Sequence, residues 1–488
     1  MYKSFFHVCL LLPFCLAISG CNDSDDDVHA ESSVTIGLIF PLSAREGKPR
    51  HHAALLAAQH LEDAGFPIRT VVADSKFNKY LGVEVANKLI EDGAKILIGA
   101  TSSSVTMEIA DWVSVPKQIP QISYASTSGQ ITELNDDDFL FRTVPSDELQ
   151  SAVLAYFAKK TKQKVAIIYR EGNYGEYLSL KFQEDFISQG GEVDKRLSHP
   201  EYEANDFKNT STIRSDFEGI FNRLADDLDA IVAISYVKET EVYVKQALEE
   251  PKFKNVDFIF VDGNKSTDLN KDERIDIFES GVNETALNNM CGTFPSPPDY
   301  TISQDDPRLT FEEEYKAKFG SIEQTYLHHT YDAVIVAGLA AYAATAATKK
   351  KNGEVITSTD IRNQLRAVAS SPGVKEVKKV GPGVDNIKEA LKDLDQALED
   401  LDLDQIEANA QVEAINKAIN EAINYEGASG NVDFDEKGDV VAPFEIWCYN
   451  NGKTEIVQIC EVTDVETTPK QVVCKEPTPK PSSMPLYS

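Results

Sequence analysis

From Ser33 onward, short and nearly continuous apolar runs alternate with amphipathic stretches, several of them closed by glycine. SVTIGLIF, IRTVVADS, KILIGA and QIPQISYA read as strands. HHAALLAAQHLEDAG, YLGVEVANKLIEDGA and VTMEIADWVSV, which separate them, read as helices. A strand that is apolar on both faces must be covered on both faces, and a helix between successive strands supplies a parallel crossover. The rhythm therefore predicts a parallel sheet with helices on both sides. It pauses at FRTVPSD, residues 141–147, and then restarts: a helix from Leu149, KVAIIYR, a helix from Tyr177, DAIVAISY, a helix from Glu239, and VDFIFVDG. At 488 residues the chain is too long for one ordinary domain. The pause reads as a hinge between two doubly wound α/β lobes.

The later segments do not add a third lobe. YDAVIVAGLAAYAATAAT reads as a strongly apolar helix. Residues 385–423 are acidic and amphipathic, with Ile387, Leu391, Leu394, Leu398 and Leu401 at helical spacing. They read as one or two helices lying on a lobe. GNVDFDEKGDVVAPFEIWCYNNGKTEIVQI reads as strands and turns, with Asn451-Gly452 as a hairpin signal. The expected boundaries are a signal peptide over 1–20 and a tether over 21–33. A first lobe follows from 34–145 with 292–427, a second from 146–291 with 428–460, and a tail over 461–488.

The N-terminus MYKSFFHVCLLLPFCLAISGC has an early Lys, an apolar core too short to span a bilayer, and small residues before Cys21. Ile18-Ser19-Gly20-Cys21 resembles the bacterial lipobox, which implies lipidation at Cys21 and anchoring on the periplasmic or cell-surface side of a bacterial membrane. A plain signal peptide with an incidental Cys is the alternative. A net charge of −31 argues against nucleic acid or an anionic membrane surface as a partner, leaving the lipid anchor as the membrane contact. In an oxidising compartment Cys291, Cys448, Cys460 and Cys474 predict two disulfides with three pairings open; a Cys460–Cys474 bridge would staple the C-terminus. The Pro-rich KEPTPKPSSMPLYS beyond it reads as disordered.

Enzyme signatures are absent: there is no GxSxG and no HExxH, and Gly452-Lys453-Thr454 has Trp447 where a phosphate loop needs its first glycine. The chain reads as a non-enzyme that requires no cofactor. His51-His52 and His328-His329 fall within helical patterns and read as packing or solvated residues. Asp268, Asn270, Asp272, Asp276 and Glu279 have the oxygen spacing of a structural calcium loop, with Glu273 in place of the glycine that permits its sharp turn. An acidic surface loop is the plain alternative.

GATSSSVTMEIADW, ISYASTSGQIT, FRTVPSD, VAIIYREGNYGEYL, IFVDG and INYEGASGNVDFDEKGD occur in that order between about Ser33 and Glu455. Together they resemble solute-binding proteins of bacterial import systems, the type I periplasmic binding proteins of the leucine/isoleucine/valine-binding kind. The resemblance implies two doubly wound parallel-sheet lobes joined by three crossovers, with a ligand cleft between them. It implies a small amino acid-like ligand and an ABC permease as partners; presentation of the ligand to a signalling receptor is the alternative. By the same resemblance Ser103 matches a carboxylate-binding Ser, Ser126 a carbonyl that accepts from the ligand amine, and Thr127 a hydroxyl and backbone contact. Tyr174 and Tyr236 match aromatics that close over the ligand, and Asp262 matches an acid that pairs with its α-ammonium. Ser103 could instead be an ordinary helix cap, and Asp262 could belong to the calcium-like loop. Arg45 or Glu46 falls where the family has an aromatic, which puts the ligand's side chain in question.

Overall fold

A computed structural model describes residues 34–202, 206–265, 283, 285–296, 307–321, 324–350, 355–369 and 377–477. Five parallel strands form the first sheet: β1 (Val34–Phe40), β2 (Ile68–Asp74), β3 (Ile96–Ile98), β4 (Gln121–Ser123) and β5 (Leu140–Arg142), in the order β2-β1-β3-β4-β5. β1 is buried along its whole length and runs beside β2 from Val34 opposite Ile68 to Phe40 opposite Asp74. The second sheet repeats the winding. Its strands β6 (Lys164–Arg170), β7 (Glu192–His199), β8 (Ala230–Ile234), β9 (Asp257–Phe260) and β10 (Cys291–Pro295) lie in the order β7-β6-β8-β9-β10. In this order the winding reverses between the first and third strands of each sheet. Loops leaving the carboxyl ends there diverge to opposite faces, which opens a crevice.

A short three-stranded sheet joins β11 (Lys379–Val380), β12 (Asn424–Gly427) and β13 (Gly430–Asn431). Then β14 (Phe444–Asn450), β15 (Lys453–Asp464) and β16 (Gln471–Lys475) extend the second sheet as antiparallel strands beyond β10. Asn451 (φ 49°) and Gly452 (φ 76°) make the β14–β15 turn, the left-handed pair that a two-residue hairpin requires. Gly292 on β10 admits the fully buried Trp447 ring, because a Cβ there would lie 2.7 Å from Trp447 Cζ2 and from the Phe260 carbonyl oxygen. The disulfides are Cys291–Cys448, between β10 and β14, and Cys460–Cys474, between β15 and β16.

β10 carries the second sheet to Pro295, and Phe434 and Asp439 contact Phe141 and Arg142 of the first. The segment expected to be a tail contains β16, held by Cys474. The apolar helix Leu327–Lys350 is long and apolar enough to cross a membrane, but it is the core helix of the first lobe, packed against helix Gly47–Asp63. His60 between them bonds Tyr331 (2.7 Å) and Glu314 (2.8 Å). The acidic stretch forms two helices, Val384–Glu399 and Gln411–Ala422; Ile387, Leu391, Leu394 and Leu398 are buried against this core and Leu401 is half-buried. Asp332, at the inner end of the core helix, accepts from the Tyr425 hydroxyl and the Ala428 and Ser429 amides. The GASGN motif is thus a packing motif.

One buried ion pair ties distant parts of the first lobe together. Arg142 is fully buried at the end of β5. Its Nε and Nη2 donate to the two Asp439 carboxylate oxygens, each at 2.6 Å, while Nη1 donates to the carbonyls of Thr127 (3.0 Å) and Ser128 (2.9 Å). Five donors in a planar fork suit guanidinium to this double task. Truncation of Asp439 to Ala leaves a buried cation without its counter-charge. We expect a loss of about 3–5 kcal/mol, measured by denaturant unfolding; a loss below about 1 kcal/mol would mean that the carbonyls alone hold Arg142.

Candidate functional site

Loops from both crevices line one small inner cavity of about 40 Å³, which shares its wall with a wider outer cavity of about 260 Å³. From the first lobe the inner cavity takes Thr101 and Ser103 beyond β3 and Ala125 beyond β4; from the second it takes Tyr174 beyond β6, Tyr236 beyond β8 and Asp262 beyond β9. All six sit past the carboxyl ends of parallel strands. The lobes also touch directly beside it. The Asn173 amide donates to Ser104 Oγ (3.2 Å), Ser128 Oγ donates to the Asn173 carbonyl (3.0 Å), and Asn173 Nδ2 donates to Gln130 Oε1 (2.7 Å).

The first-lobe wall is two loops knitted together. Ser126 Oγ bonds Thr106 Oγ1 (2.8 Å) and the Ala100 carbonyl (3.1 Å), and Ser123 Oγ donates to the same carbonyl (2.9 Å). The Ser126 side chain therefore points into the lobe, and its carbonyl is turned toward Arg142 Nη1 at 3.5 Å. Ala125, its neighbour, is the residue of this loop that lines the inner cavity. Ser103 lines the cavity, and its hydroxyl accepts from the Ser128 amide (3.3 Å). Thr127 is buried just behind. Its carbonyl accepts from Arg142 and from the Asp147 amide (2.8 Å), while its hydroxyl has no hydrogen-bond partner.

In the second lobe the buried Asp262 carboxylate accepts from Tyr174 (2.8 Å), Gln150 (3.0 Å) and Tyr326 (2.5 Å). Tyr174 stacks on Tyr236 with ring centroids 5.7 Å apart, and the Arg170 guanidinium lies 4.0 Å from the Tyr236 ring centroid. Burial pushes the Tyr236 phenol up to about 12. Arg45 is not in the inner cavity; it lines the outer one, with Glu46, Phe77 and Lys238. The calcium-like set Asp268, Asn270, Asp272, Asp276 and Glu279, and Cys21, lie outside the described residues.

Asp147 was not among the residues singled out from sequence, although it ends the FRTVPSD motif. After Ser146, whose hydroxyl accepts from the Glu148 amide, it reads as an ordinary first-turn acid of helix Asp147–Lys159. In the fold it is fully buried, and neither carboxylate oxygen has an aligned hydrogen-bond partner. Burial, then the neighbouring Asp262 charge, holds its carboxyl well above the usual range; nearby Thr127 and Arg142 only partly offset this. Burial also raises Asp262, against the opposing effect of its three donors. Asp262 lines the cavity with Thr101 and Ser103 of the other lobe, while Asp147 is buried near Asp262 without lining it.

A family profile described as the receptor family ligand binding region matches residues 49–452. The chain belongs to that family. Its fold is that of the type I periplasmic binding proteins. The crystal structure of a leucine binding protein from Thermotoga maritima aligns with a TM-score of 0.59 at 19% identity, covering 87% of this chain and 98% of that one. The leucine-, isoleucine-, valine-, threonine- and alanine-binding protein of Pseudomonas aeruginosa is 27% identical over 173 residues, 34% of this chain and 46% of its own. A Leu/Ile/Val-binding protein of Rhizobium johnstonii is 30% identical over 163 residues, 32% of this chain and 44% of its own. The chain thus spans about half the length of the curated relatives it matches.

The raised Asp147 carboxyl has a consequence for pH. A folded-state value above the unfolded one means that the folded chain binds more protons, so stability is fullest below the unfolded carboxylate pKa and falls as pH rises through the folded value. Above the unfolded carboxylate pKa the burial of Asp147 is a cost that a bound cation would relieve. Asp147→Asn should therefore raise the melting temperature of the ligand-free protein at pH 7 and remove any ligand-induced rise. A variant that melts lower and still responds to ligand would show that Asp147 serves packing alone.

Proposed function

We propose that this protein is an extracytoplasmic solute-binding protein that captures a small α-amino acid between its lobes. The observation that carries the reading is the buried Asp262 carboxylate, which lines a cavity built from both lobes opposite Thr101 and Ser103, with the buried Asp147 close to it. An α-ammonium supplies the donors and positive charge that the carboxylates require, and an α-carboxylate accepts from the hydroxyls and the amides opening helix Ser103–Ile109. A ligand held by both lobes favours their closed arrangement through its differential affinity. The closed form would then dock on an ABC import permease, with the chain tethered through lipid at Cys21. In this reading no bond is made or broken. The similarity to a leucine-, isoleucine-, valine-, threonine- and alanine-binding protein and to a Leu/Ile/Val-binding protein supports it.

The test is a thermal-shift screen of the soluble chain starting after Cys21, against amino acids, amides, small acids and sugars. α-Amino acids should raise the melting temperature and their N-acetyl derivatives should not. A response to N-acetyl derivatives or sugars alone would reject the ammonium site. Asp262→Asn should weaken amino acid binding by about 3 kcal/mol, because a buried ammonium loses a counter-charge. Near-wild-type affinity by calorimetry would remove Asp262 from the site.

A further inference from the structure

Several cations around the cleft have carboxylate partners among the described residues. Arg170 pairs with Glu239 (2.6 Å) and Glu201 (3.3 Å), Lys265 pairs with Glu445, and Arg142 is engaged by Asp439. Arg50, in the first turn of helix Gly47–Asp63, is only 4% exposed, yet no carboxylate among the described residues forms an ion pair with it. Its Nε and Nη2 donate to the carbonyl and hydroxyl of Thr325 (3.1 and 3.0 Å), and its guanidinium lies 5.3 Å from the Tyr326 ring centroid. Nη1 is buried with no hydrogen-bond partner. A buried guanidinium with an unmade donor and no counter-ion is an expensive arrangement unless an anion arrives from outside the chain.

The position of Arg50 narrows what that anion can be. It lines both the inner and the outer cavity, at their junction. Glu46, one turn earlier, faces the same space without pairing with it. On the reading above, the α-ammonium and α-carboxylate are held within the inner cavity, so the ligand's side chain leaves it past Arg50. The outer cavity is large enough to take an extended side chain, and the Phe77, Tyr202 and Tyr236 rings flank it. The neighbours sense the excess charge: Arg50 opposes the upward shift of the buried Tyr326 phenol and adds to the lowering of His329, which burial holds at about 3.

We propose that Arg50 anchors a second anionic group, so that the ligands of this protein are α-amino acids whose side chain ends in a carboxylate or similar oxyanion. This rests on the amino acid reading of the inner cavity. The test is titration calorimetry of the soluble chain with glutamate, 2-aminoadipate, glutamine and leucine. Glutamate or 2-aminoadipate should bind roughly 10- to 100-fold more tightly than glutamine or leucine, the range expected for hydrogen bonds to a charged group. Arg50→Gln should abolish that preference while changing glutamine affinity less than about threefold, and Arg50→Lys should keep part of it. The wild-type comparison stands even if a variant fails to fold. Equal binding of neutral and acidic amino acids overturns the proposal and leaves the amino acid reading intact. Equal weakening of all four ligands by Arg50→Gln also overturns it, placing Arg50 on the α-carboxylate. Binding of none of the four overturns the proposal together with the reading beneath it.

Discussion

The cleft depends on a guanidinium that never reaches it. Arg142 takes two carbonyls of the loop after β4 and a carboxylate from a segment 297 positions further along the chain. The loop has no regular secondary structure to fix it, because β4 ends at Ser123. Without a fixed donor behind them, the carbonyls of Thr127 and Ser128 would have to find other partners, and the wall containing Ala125 would lose its shape. A lysine could meet the carboxylate or the carbonyls but lacks the rigid fork that does both. The ion pair is a positioning device more than a source of stability, since two charges removed from water recover little net energy from their attraction.

On that scaffold the chemistry is divided by lobe. The first lobe presents hydroxyls and the amide end of a helix; the second presents Asp262 beneath two stacked tyrosines. Asp147, at the start of the segment that crosses between lobes, adds a second acid close enough to Asp262 to raise its own pKa. On the proposed reading each half is incomplete as a binding site until a zwitterion bridges the gap, and affinity and lobe contact are then parts of the same equilibrium.

The strand–helix rhythm was legible in sequence because buried parallel strands must be apolar on both faces, and the hairpin at Asn451-Gly452 was legible because few other residues accept its backbone angles. The family motifs placed Ser103, Tyr174, Tyr236 and Asp262 around one cavity. Ala125, not Ser126, lines that cavity, and the Ser126 hydroxyl is bonded within the lobe. Beyond the end of β4 no alternation dictates which way a side chain points, and Arg142 claims the carbonyls. Asp147 went unseen because an acid after a capping serine is common at a helix start; only three-dimensional burial distinguishes it. Arg50 lies within an ordinary amphipathic helix, and its lack of a counter-ion is a property of the space around it. The Cys291–Cys448 pairing also needed the fold, since β10 and β14 are neighbours despite a separation of 157 residues.

That disulfide defines how the two lobes are nested. The chain leaves the second lobe at the end of β10 and returns at the start of β14, an adjacent strand, and the bridge fastens the two strands together. Everything between them is, in topological terms, a loop inserted into the second lobe with its ends pinned. The entropic cost of closing a loop grows only slowly with its length, and here closure is enforced covalently as well. The first lobe thus accommodates the acidic helices of residues 384–422, packed on its other helices, within a segment whose ends are fixed by the second sheet. Growth of the chain and conservation of its binding geometry are separable in this architecture.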